Sequence, residues 1–307
     1  MKIGATFSDN SPRVATIGFF DGVHRGHRYL IAQVRAVAAR RGCRSAVVTF
    51  PAHPCRVMRP ESCPPLLNTS QEKLKLLDET GLDDAILLDF TSELASLSAY
   101  EFMKLLKDRF QIVALVIGYD HRFGHNRSEG FDDYVRYGAA LGMEVVPAMA
   151  FYEAEEEDAV SSSRIRKLLL AGRLTEANIC LGYPYFLQGI VVGGYQVGRT
   201  IGFPTANLQV NCPDKLIPAD GVYAVKVQLG GVAYGGMLSI GLRPTLNNGT
   251  NRSIEVHIFD FKDNIYNQPI SIYFVRRTRD ELKFASMDEL IEQLHCDEAE
   301  IRQLLGC

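Results

Sequence analysis

Hydrophobic positions in the first half of the chain follow two alternating periods. Short apolar runs begin near Val14, Ala46, Ala85, Ile112 and Glu144, and helical periodicity occupies the stretches near 28–41, 71–80, 98–109 and 131–142. Strands that alternate with helices are typical of a parallel sheet with crossover helices. We therefore predict an α/β domain whose ligand-binding turns lie at the strand ends.

The pattern changes near Gly182. Residues 163–182 predict two short helices, and short strands then recur near Phe186, Val222, Val232, Ile254 and Ile270. This spacing is typical of a small antiparallel β-barrel. Helical periodicity over 286–306 predicts a closing helix that packs on the barrel. Because the chain has no low-complexity linker, we expect two abutting domains, residues 1–182 and 183–307.

Composition narrows the class of protein. The chain has 307 residues, 47% of them hydrophobic, which is enough for two cores of ordinary size. A formal net charge of −3 gives no electrostatic support for binding nucleic acid. Seven scattered cysteines without a Cys-x-x-Cys pair predict reduced thiols. The sequence shows no signal peptide and no apolar run of membrane-spanning length, so we expect a cytoplasmic protein without a membrane partner.

One segment carries the strongest chemical signal, Gly18-Phe-Phe-Asp-Gly-Val-His-Arg-Gly-His27. It joins a predicted strand to a predicted helix, whose N-terminus offers unpaired N–H groups and the positive end of the helix dipole. Gly22 and Gly26 remove side chains that would keep a phosphate away. His24 and His27 share one helix face and can donate hydrogen bonds to charge that develops on phosphoryl oxygens. The alternative is a capped helix with two surface histidines.

This segment resembles the His-x-Gly-His nucleotidyltransferase superfamily, and in particular its FMN adenylyltransferase branch. Three later segments are similar to the same family: Thr49-Phe-Pro-Ala-His-Pro54, Val116-Ile-Gly-Tyr-Asp-His-Arg-Phe-Gly124 and Val160-Ser-Ser-Ser-Arg-Ile-Arg166. Ala52, His121 and Ser163 depart from the family's usual residues. The resemblance implies that His24, His27 and Arg166 are catalytic. It implies nucleotide contacts from Gly18, Phe19, Asp21, Gly22, Gly26, His53, Asp120, Ser162 and Ser163.

The last of these segments also suits phosphate by its residue types. Ser162 and Ser163 can cap the helix that begins with them, and they offer hydroxyl groups. The planar guanidinium group of Arg166 can donate two parallel hydrogen bonds to a phosphate. A serine-rich cap before a basic helix is, however, an ordinary structural feature. Taken alone, this segment favours the structural interpretation.

A second chemical signal is the glycine-rich run over residues 189–202, which is followed by Pro204-Thr-Ala-Asn207. Its spacing matches neither a Walker loop nor a dinucleotide fingerprint. It resembles riboflavin kinase, whose Pro-Thr-Ala-Asn motif is intact here. Thr205 and Asn207 supply two neutral oxygens, a donor set that suits Mg²⁺ together with substrate phosphates. The glycines alone would also fit a β-hairpin.

The riboflavin kinase resemblance extends to three further segments: Ser239-Ile-Gly-Leu-Arg-Pro-Thr245, Ser253-Ile-Glu-Val-His-Ile-Phe-Asp-Phe261 and Arg279-Asp-Glu-Leu-Lys-Phe284. Glu255 matches the family's catalytic carboxylate, which accepts the proton of the riboflavin 5′-hydroxyl. Without the resemblance, a glutamate on a mixed strand is an ordinary solvated residue. Arg279 would contact the flavin nucleotide or shape its loop. The resemblance also places three residues against the ATP phosphates: Gly198, Arg199 and Gly202.

Together the two resemblances cover nearly the whole chain and imply a prokaryotic-type bifunctional riboflavin kinase/FAD synthetase. The implied fold is a Rossmann-like nucleotidyltransferase domain followed by a riboflavin kinase barrel. The implied substrates are riboflavin, FMN and ATP, with Mg²⁺ as the cation and FAD and pyrophosphate as final products. Two alternatives stay open: an enzyme with only the kinase active, and a flavin-binding regulator on an enzyme scaffold. The sequence does not determine the oligomeric state.

Overall fold

The computed structural model describes residues 1–5, 7, 9–118, 121–125, 128–151, 159–194, 197–243 and 251–307. The chain packs as two compact units, residues 1–162 and 163–307. Three of the predicted segments are affected by the gaps, because Asp120, residues 195–196 and residues 244–245 lie outside the described part of the chain.

Unit 1 is a parallel sheet with helices between its strands. Its elements are β1 Lys2–Gly4, β2 Arg13–Ile17, α1 Arg25–Arg41, β3 Arg44–Thr49, α2 Cys55–Met58, a 3₁₀ helix Pro60–Ser62, α3 Ser70–Asp78, β4 Asp84–Leu87, α4 Ser92–Ser96, α5 Ala99–Phe110, β5 Ile112–Ile117, α6 Phe131–Leu141 and β6 Glu144–Pro147. The strand order is β1-β4-β3-β2-β5-β6, and every pairing is parallel. The predicted α/β architecture is therefore confirmed.

Successive residues of β2 enter different cores, as the period of a strand requires. Val14 packs with Val34 and Val37 of α1, whereas Ala15 faces the cluster that contains Phe102 and Leu106 of α5. A sheet covered on both faces favours apolar residues on both faces of its strands. This explains why the central strands appear in the sequence as continuous apolar runs.

Two features of unit 1 escape the sequence pattern. Strand β1 is only three residues long and pairs with β4 at the sheet edge, so it is too short to show a period. Cys55 and Cys63 form a disulfide, so the prediction that all seven cysteines are reduced thiols is wrong for this pair. The short helices between them turn the chain back until their Cα atoms are 5.6 Å apart, a proximity that a spacing of eight residues does not reveal.

Unit 2 is a closed barrel with helices around it. Its elements are α7 Ser162–Leu170, which begins at the last residue of unit 1, then α8 Leu174–Leu181, β7 Phe186–Val192, α9 Val197–Thr200, β8 Ala206–Val210, β9 Gly221–Leu229, β10 Val232–Arg243, β11 Asn251–Ile258, β12 Pro269–Arg279 and α10 Met287–Leu305. The strands close in the order β10-β11-β8-β7-β12-β9 with antiparallel pairings. The predicted barrel is confirmed.

The closing helix packs on the barrel as predicted. Ile301 of α10 is fully buried in a cluster with Phe203, Val222 and Met237. Strand β8 was not predicted, because it is five residues long and begins inside the Pro204–Asn207 motif. Pairing with β7 and β11 holds it in the barrel.

Candidate active sites

The turn after β2 has an unusual backbone. Gly22 has φ 83°, but Phe20 and Val23 also adopt positive φ values, 56° and 35°. Such values are uncommon for residues other than glycine and are an outlier for a β-branched residue. Both side chains are buried, so packing holds the turn in this strained path. Strain of this kind clusters at functional sites, and here it precedes the two histidines.

Helix α1 begins with those histidines. His24 is the N-cap, and its Nδ1 accepts a hydrogen bond from the backbone N–H of His27 at 3.3 Å. The two rings are stacked with centroids 3.6 Å apart. A Cβ at Gly26 would lie 3.3 Å from the His24 ring, so glycine allows this ring to lie across the helix start. Because Nδ1 of His24 accepts, a neutral His24 carries its proton on Nε2.

The environment of His27 favours its neutral form. Burial lowers the pKa of His27 well below its ordinary value, and the charges of His24 and Lys73 lower it further. Its Nδ1 is buried and has no hydrogen-bond partner within the described residues. A buried polar atom without a partner is costly in the native state. The ring is therefore suited to hydrogen bonding with a bound group at neutral pH.

The end of β3 meets the turn after β2. Thr49 Oγ1 donates to the carbonyl oxygen of Phe19 at 3.2 Å. The ring of His53 packs edge-on against Phe19, with centroids 4.5 Å apart. His53 Nδ1 accepts from the backbone N–H of Cys55 at 3.1 Å. The structure thus brings together two of the segments that the sequence predicts for the nucleotide site.

Lys73 of α3, which was not singled out from the sequence, contacts the turn after β2 and the loop after β3 through the carbonyl oxygens of Phe19 and Phe50. The side chain is 1% exposed, and burial lowers its pKa to about 8, while the nearby Asp21 carboxylate opposes this fall. The hydrophobic pattern of α3 did indicate that Lys73 is buried. Lys73 stands three and four residues before Leu76 and Leu77, on the buried face of the helix.

Asp21 makes different contacts from those expected of a nucleotide-binding residue. Its carboxylate accepts from the backbone N–H groups of Leu67 and Asn68 at 3.0–3.1 Å. Its carbonyl oxygen accepts from Ser162 Oγ at 2.8 Å. These contacts tie the strained turn to the segment before α3 and to Ser162, the first residue of α7. A contact between Asp21 and a nucleotide stays a prediction.

For three other predicted residues the structure does not test a nucleotide contact. Ser163 is exposed and Arg166 is buried, and both lie on α7 in unit 2. Asp120 lies outside the described residues. Their predicted nucleotide contacts stay predictions.

The second candidate site lies on β8 and β11 of the barrel. Glu255 is directly opposite Asn207 in the antiparallel register. Thr205 Oγ1 donates to Glu255 Oε2 at 3.1 Å. The residues predicted as metal ligands and as base therefore share one corner of the barrel. Their oxygen donors suit a hard cation such as Mg²⁺, which relies on phosphate and water for its other ligands.

Two cavities adjoin this corner. The first, of about 390 Å³, is lined by Arg199, Thr205 and Lys262 among others. The second, of about 300 Å³, is lined by Glu255 and by apolar side chains that include Phe284 and Leu294. Thr205 lines both cavities.

The glycine-rich segment borders the second cavity. Gly198 lines this cavity, and a Cβ there would lie 2.2 Å from the carbonyl oxygen of Phe203. Glycine is thus required for the chain to close this turn before Pro204. Gly202 completes the turn with φ 88°.

Arg279 lines the second cavity, but its guanidinium is already engaged. Nε and Nη2 donate to the Asp297 carboxylate at 2.6–3.1 Å, and Nη1 donates to the carbonyl oxygen of Asp280 at 2.9 Å. Asp297 of α10 is 2% exposed and was not singled out from the sequence. The pair joins β12 to the closing helix. A direct flavin contact from Arg279 stays a prediction.

Comparison with known proteins separates the two halves of the chain. A family model described as FAD synthetase matches residues 6–164, and one described as Riboflavin kinase matches residues 181–305. A Listeria monocytogenes protein named "Bifunctional riboflavin kinase/FMN adenylyltransferase" is 37% identical over 94% of this chain and 91% of its own length. A protein of the same name from Escherichia coli K12 is 35% identical over 95% of this chain and 93% of its own.

A solved structure resembles the chain over nearly its whole length. It is described as "Crystal Structure of Macrolide-efflux Protein from Streptococcus pneumoniae", with a TM-score of 0.87, 34% identity, and coverage of 97% of this chain and 98% of that one. In the part of the chain that the structure describes, no helix is both long and apolar enough to cross a membrane.

Proposed function

This chain belongs to the bifunctional riboflavin kinase/FMN adenylyltransferase family, and we propose that it carries out the family's two reactions at separate sites. Residues 183–307 phosphorylate riboflavin with ATP to give FMN and ADP. Residues 1–182 transfer the adenylyl group of a second ATP to FMN and give FAD and pyrophosphate. The boundary at 182/183 is part of this proposal, since the packing division at 162/163 does not decide which reaction residues 163–182 serve.

The contact between Thr205 and Glu255 is the observation that carries the kinase proposal. It lies where the two cavities meet. The apolar walls of the second cavity suit the flavin ring, and the basic residues Arg199 and Lys262 of the first suit the phosphates of ATP. Glu255 then accepts the proton of the riboflavin 5′-hydroxyl as that oxygen attacks the γ-phosphate.

A divalent cation fits the same corner, and we propose Mg²⁺. Thr205 and Asn207 would hold it through neutral oxygens, next to the Glu255 carboxylate. Mg²⁺ bound there would neutralise charge on the phosphates. Gly198 and Gly202 let the chain pass close to those phosphates, and Arg279, held by Asp297, shapes the wall of the flavin cavity.

For adenylyl transfer we propose that the N-terminus of α1 holds the ATP phosphates. The FMN phosphate attacks the α-phosphate directly, without a covalent enzyme intermediate. His24 and a neutral His27 hydrogen-bond to the charge that develops on the phosphoryl oxygen and on pyrophosphate. The proposed nucleotide contacts of His53, Asp120, Ser162, Ser163 and Arg166 rest on the family resemblance. Both reactions are proposed to take place in the cytoplasm.

Flavin chromatography tests the proposal. The purified chain is incubated with ATP and Mg²⁺ and either riboflavin or FMN. FAD is expected from both starting flavins. FMN that accumulates without FAD would mean that only the kinase is active, and unchanged flavins in both reactions would support a binding protein instead. His27→Ala is expected to stop FAD formation from FMN and to leave FMN formation from riboflavin intact.

A further inference from the structure

The ammonium group of Lys73 is surrounded by backbone and hydroxyl oxygens. Nζ donates to the carbonyl oxygen of Phe19 at 3.1 Å, to Thr49 Oγ1 at 3.3 Å and to the carbonyl oxygen of Phe50 at 2.7 Å. An ammonium group has three protons. The three contacts account for all three protons, so every donor of the ammonium group is hydrogen-bonded within the protein.

Packing alone does not explain a lysine at this position. A buried charge is costly unless it is well compensated, and the three acceptors of Lys73 are neutral. The nearby Asp21 carboxylate compensates the charge only in part, since burial still lowers the pKa of Lys73 to about 8. The ring of Phe19, 4.1 Å from Nζ at its centroid, adds a cation–π contact. Of the other buried residues of α3, Leu76 and Leu77 are aliphatic, and Glu72 forms a capping box with Thr69. An apolar residue at 73 would avoid the cost of burying a charge but would remove the donor that the three oxygens share.

The three acceptors have one property in common, because they lie where two strands leave the sheet. Phe19 leads into the strained turn that ends at His24, and Phe50 leads into the loop that carries His53. Strands β2 and β3 are parallel neighbours, so these exits lie at the same edge. One side chain therefore sets the distance between two loops that are far apart in the sequence.

A strained turn persists only when its surroundings hold it in place. The carbonyl of Phe19 accepts from both Lys73 and Thr49, immediately before Phe20 with φ 56°. On the other side, the ring of Phe19 contacts that of His53. Loss of the ammonium would release Phe19 and Phe50 together, and with them the relative position of His24 and His53.

We propose that Lys73 is a positioning residue for adenylyl transfer, which acts through the backbone of the two turns that form the nucleotide site. It rests on the proposed function of unit 1. Lys73 does not contact the substrate in this proposal. Its role is to keep the phosphate-binding turn and the His53 loop in the arrangement that the transition state needs.

The test is Lys73→Met in the full-length protein, which keeps the length of the side chain and removes its charge and donors. We expect the KM for ATP in FAD formation from FMN to rise about tenfold or more, and kcat to fall by up to about 100-fold, because small misplacements of binding groups are costly. The kinetic constants for FMN formation from riboflavin are expected to stay unchanged. This second reaction checks the protein concentration and the integrity of unit 2 in the same preparation.

Two variants on the same helix separate positioning from stability. Lys75→Met removes an exposed lysine and is expected to leave both reactions unchanged. Leu77→Ala removes core packing at a fully buried position and destabilises unit 1, but it leaves Lys73 and its three hydrogen-bond acceptors unaltered in sequence. Measured below its unfolding transition, Leu77→Ala is expected to keep the wild-type KM for ATP. If Lys73→Met does not fold, Lys73→Gln, which keeps two N–H donors, is used in the same comparison.

The outcomes are distinct. The proposal is supported if the KM for ATP rises in the Lys73 variant and stays at the wild-type value in Lys75→Met and Leu77→Ala. A KM and kcat within about twofold of wild type in the Lys73 variant, or the same rise in KM in Leu77→Ala, would overturn it. Absence of FAD formation in the wild-type protein would instead contradict the proposed function of unit 1.

Discussion

Replacing Glu255 by glutamine is the sharpest test of the kinase site. The change removes the ability to accept a proton but keeps the length of the side chain and an oxygen acceptor. Thr205 Oγ1, which donates to Glu255 Oε2 at 3.1 Å, can therefore keep its hydrogen bond. The substitution isolates the function of the base from the packing of the site.

Two magnitudes distinguish the possible roles of Glu255. A general base contributes about 10²–10⁴-fold to a rate, so the loss of this function is expected to lower kcat about 1,000-fold, or about 4 kcal/mol of barrier. If Glu255 only accepts the Thr205 hydrogen bond, Glu255→Gln should cost at most about 1 kcal/mol, or roughly fivefold, because the glutamine oxygen can still accept that bond. The KM for riboflavin is expected to change little, because the apolar walls of the second cavity, where the flavin ring is proposed to bind, are untouched.

The assay separates riboflavin, FMN and FAD by chromatography over time, with riboflavin or FMN as the starting flavin. FAD formation from FMN should proceed at the wild-type rate in Glu255→Gln. Glu292→Gln makes the same chemical change on an exposed position of α10 and is expected to alter neither reaction. A fall in FMN formation of less than about tenfold, or an equal fall in both reactions, would refute the assignment of Glu255 as the base.

Further predictions concern unit 1. The folded state holds His27 neutral, with its pKa below the ordinary 6.5, so the unfolded state binds a proton first as the pH falls. The unfolding free energy of unit 1 should therefore decrease as the pH falls below about 6.5, and the unfolding constant should rise about tenfold per pH unit. Urea titrations at several pH values measure this dependence, and His27→Asn should make it weaker. Asp84→Asn should cost about 3 kcal/mol, because Asp84 and Arg13 are both fully buried and joined at 2.8 Å. An unchanged urea midpoint in Asp84→Asn would contradict this.

The sequence predicted the fold well, but it predicted the contacts in the candidate sites only in part. Periodicity was sufficient to predict the parallel sheet, the barrel and the closing helix, because strand and helix periods are local properties of the chain. The Pro204–Asn207 motif and the strand that carries Glu255 could each be recognised in the sequence, but the contact between Thr205 and Glu255 is known only from the structure. The assignment of catalytic roles to these residues stays a prediction.

The sequence by itself determined the two kinds of core, the order of the chemical segments and the family. Only the tertiary structure decided the partners of Asp21, Lys73 and Arg279, each of which binds a residue at least 18 positions away. The physical reason is that these partners meet through sheet pairing and helix packing, which a local period does not encode. A lysine or an arginine looks the same in the sequence whether it contacts water, a phosphate or the backbone of a strained turn.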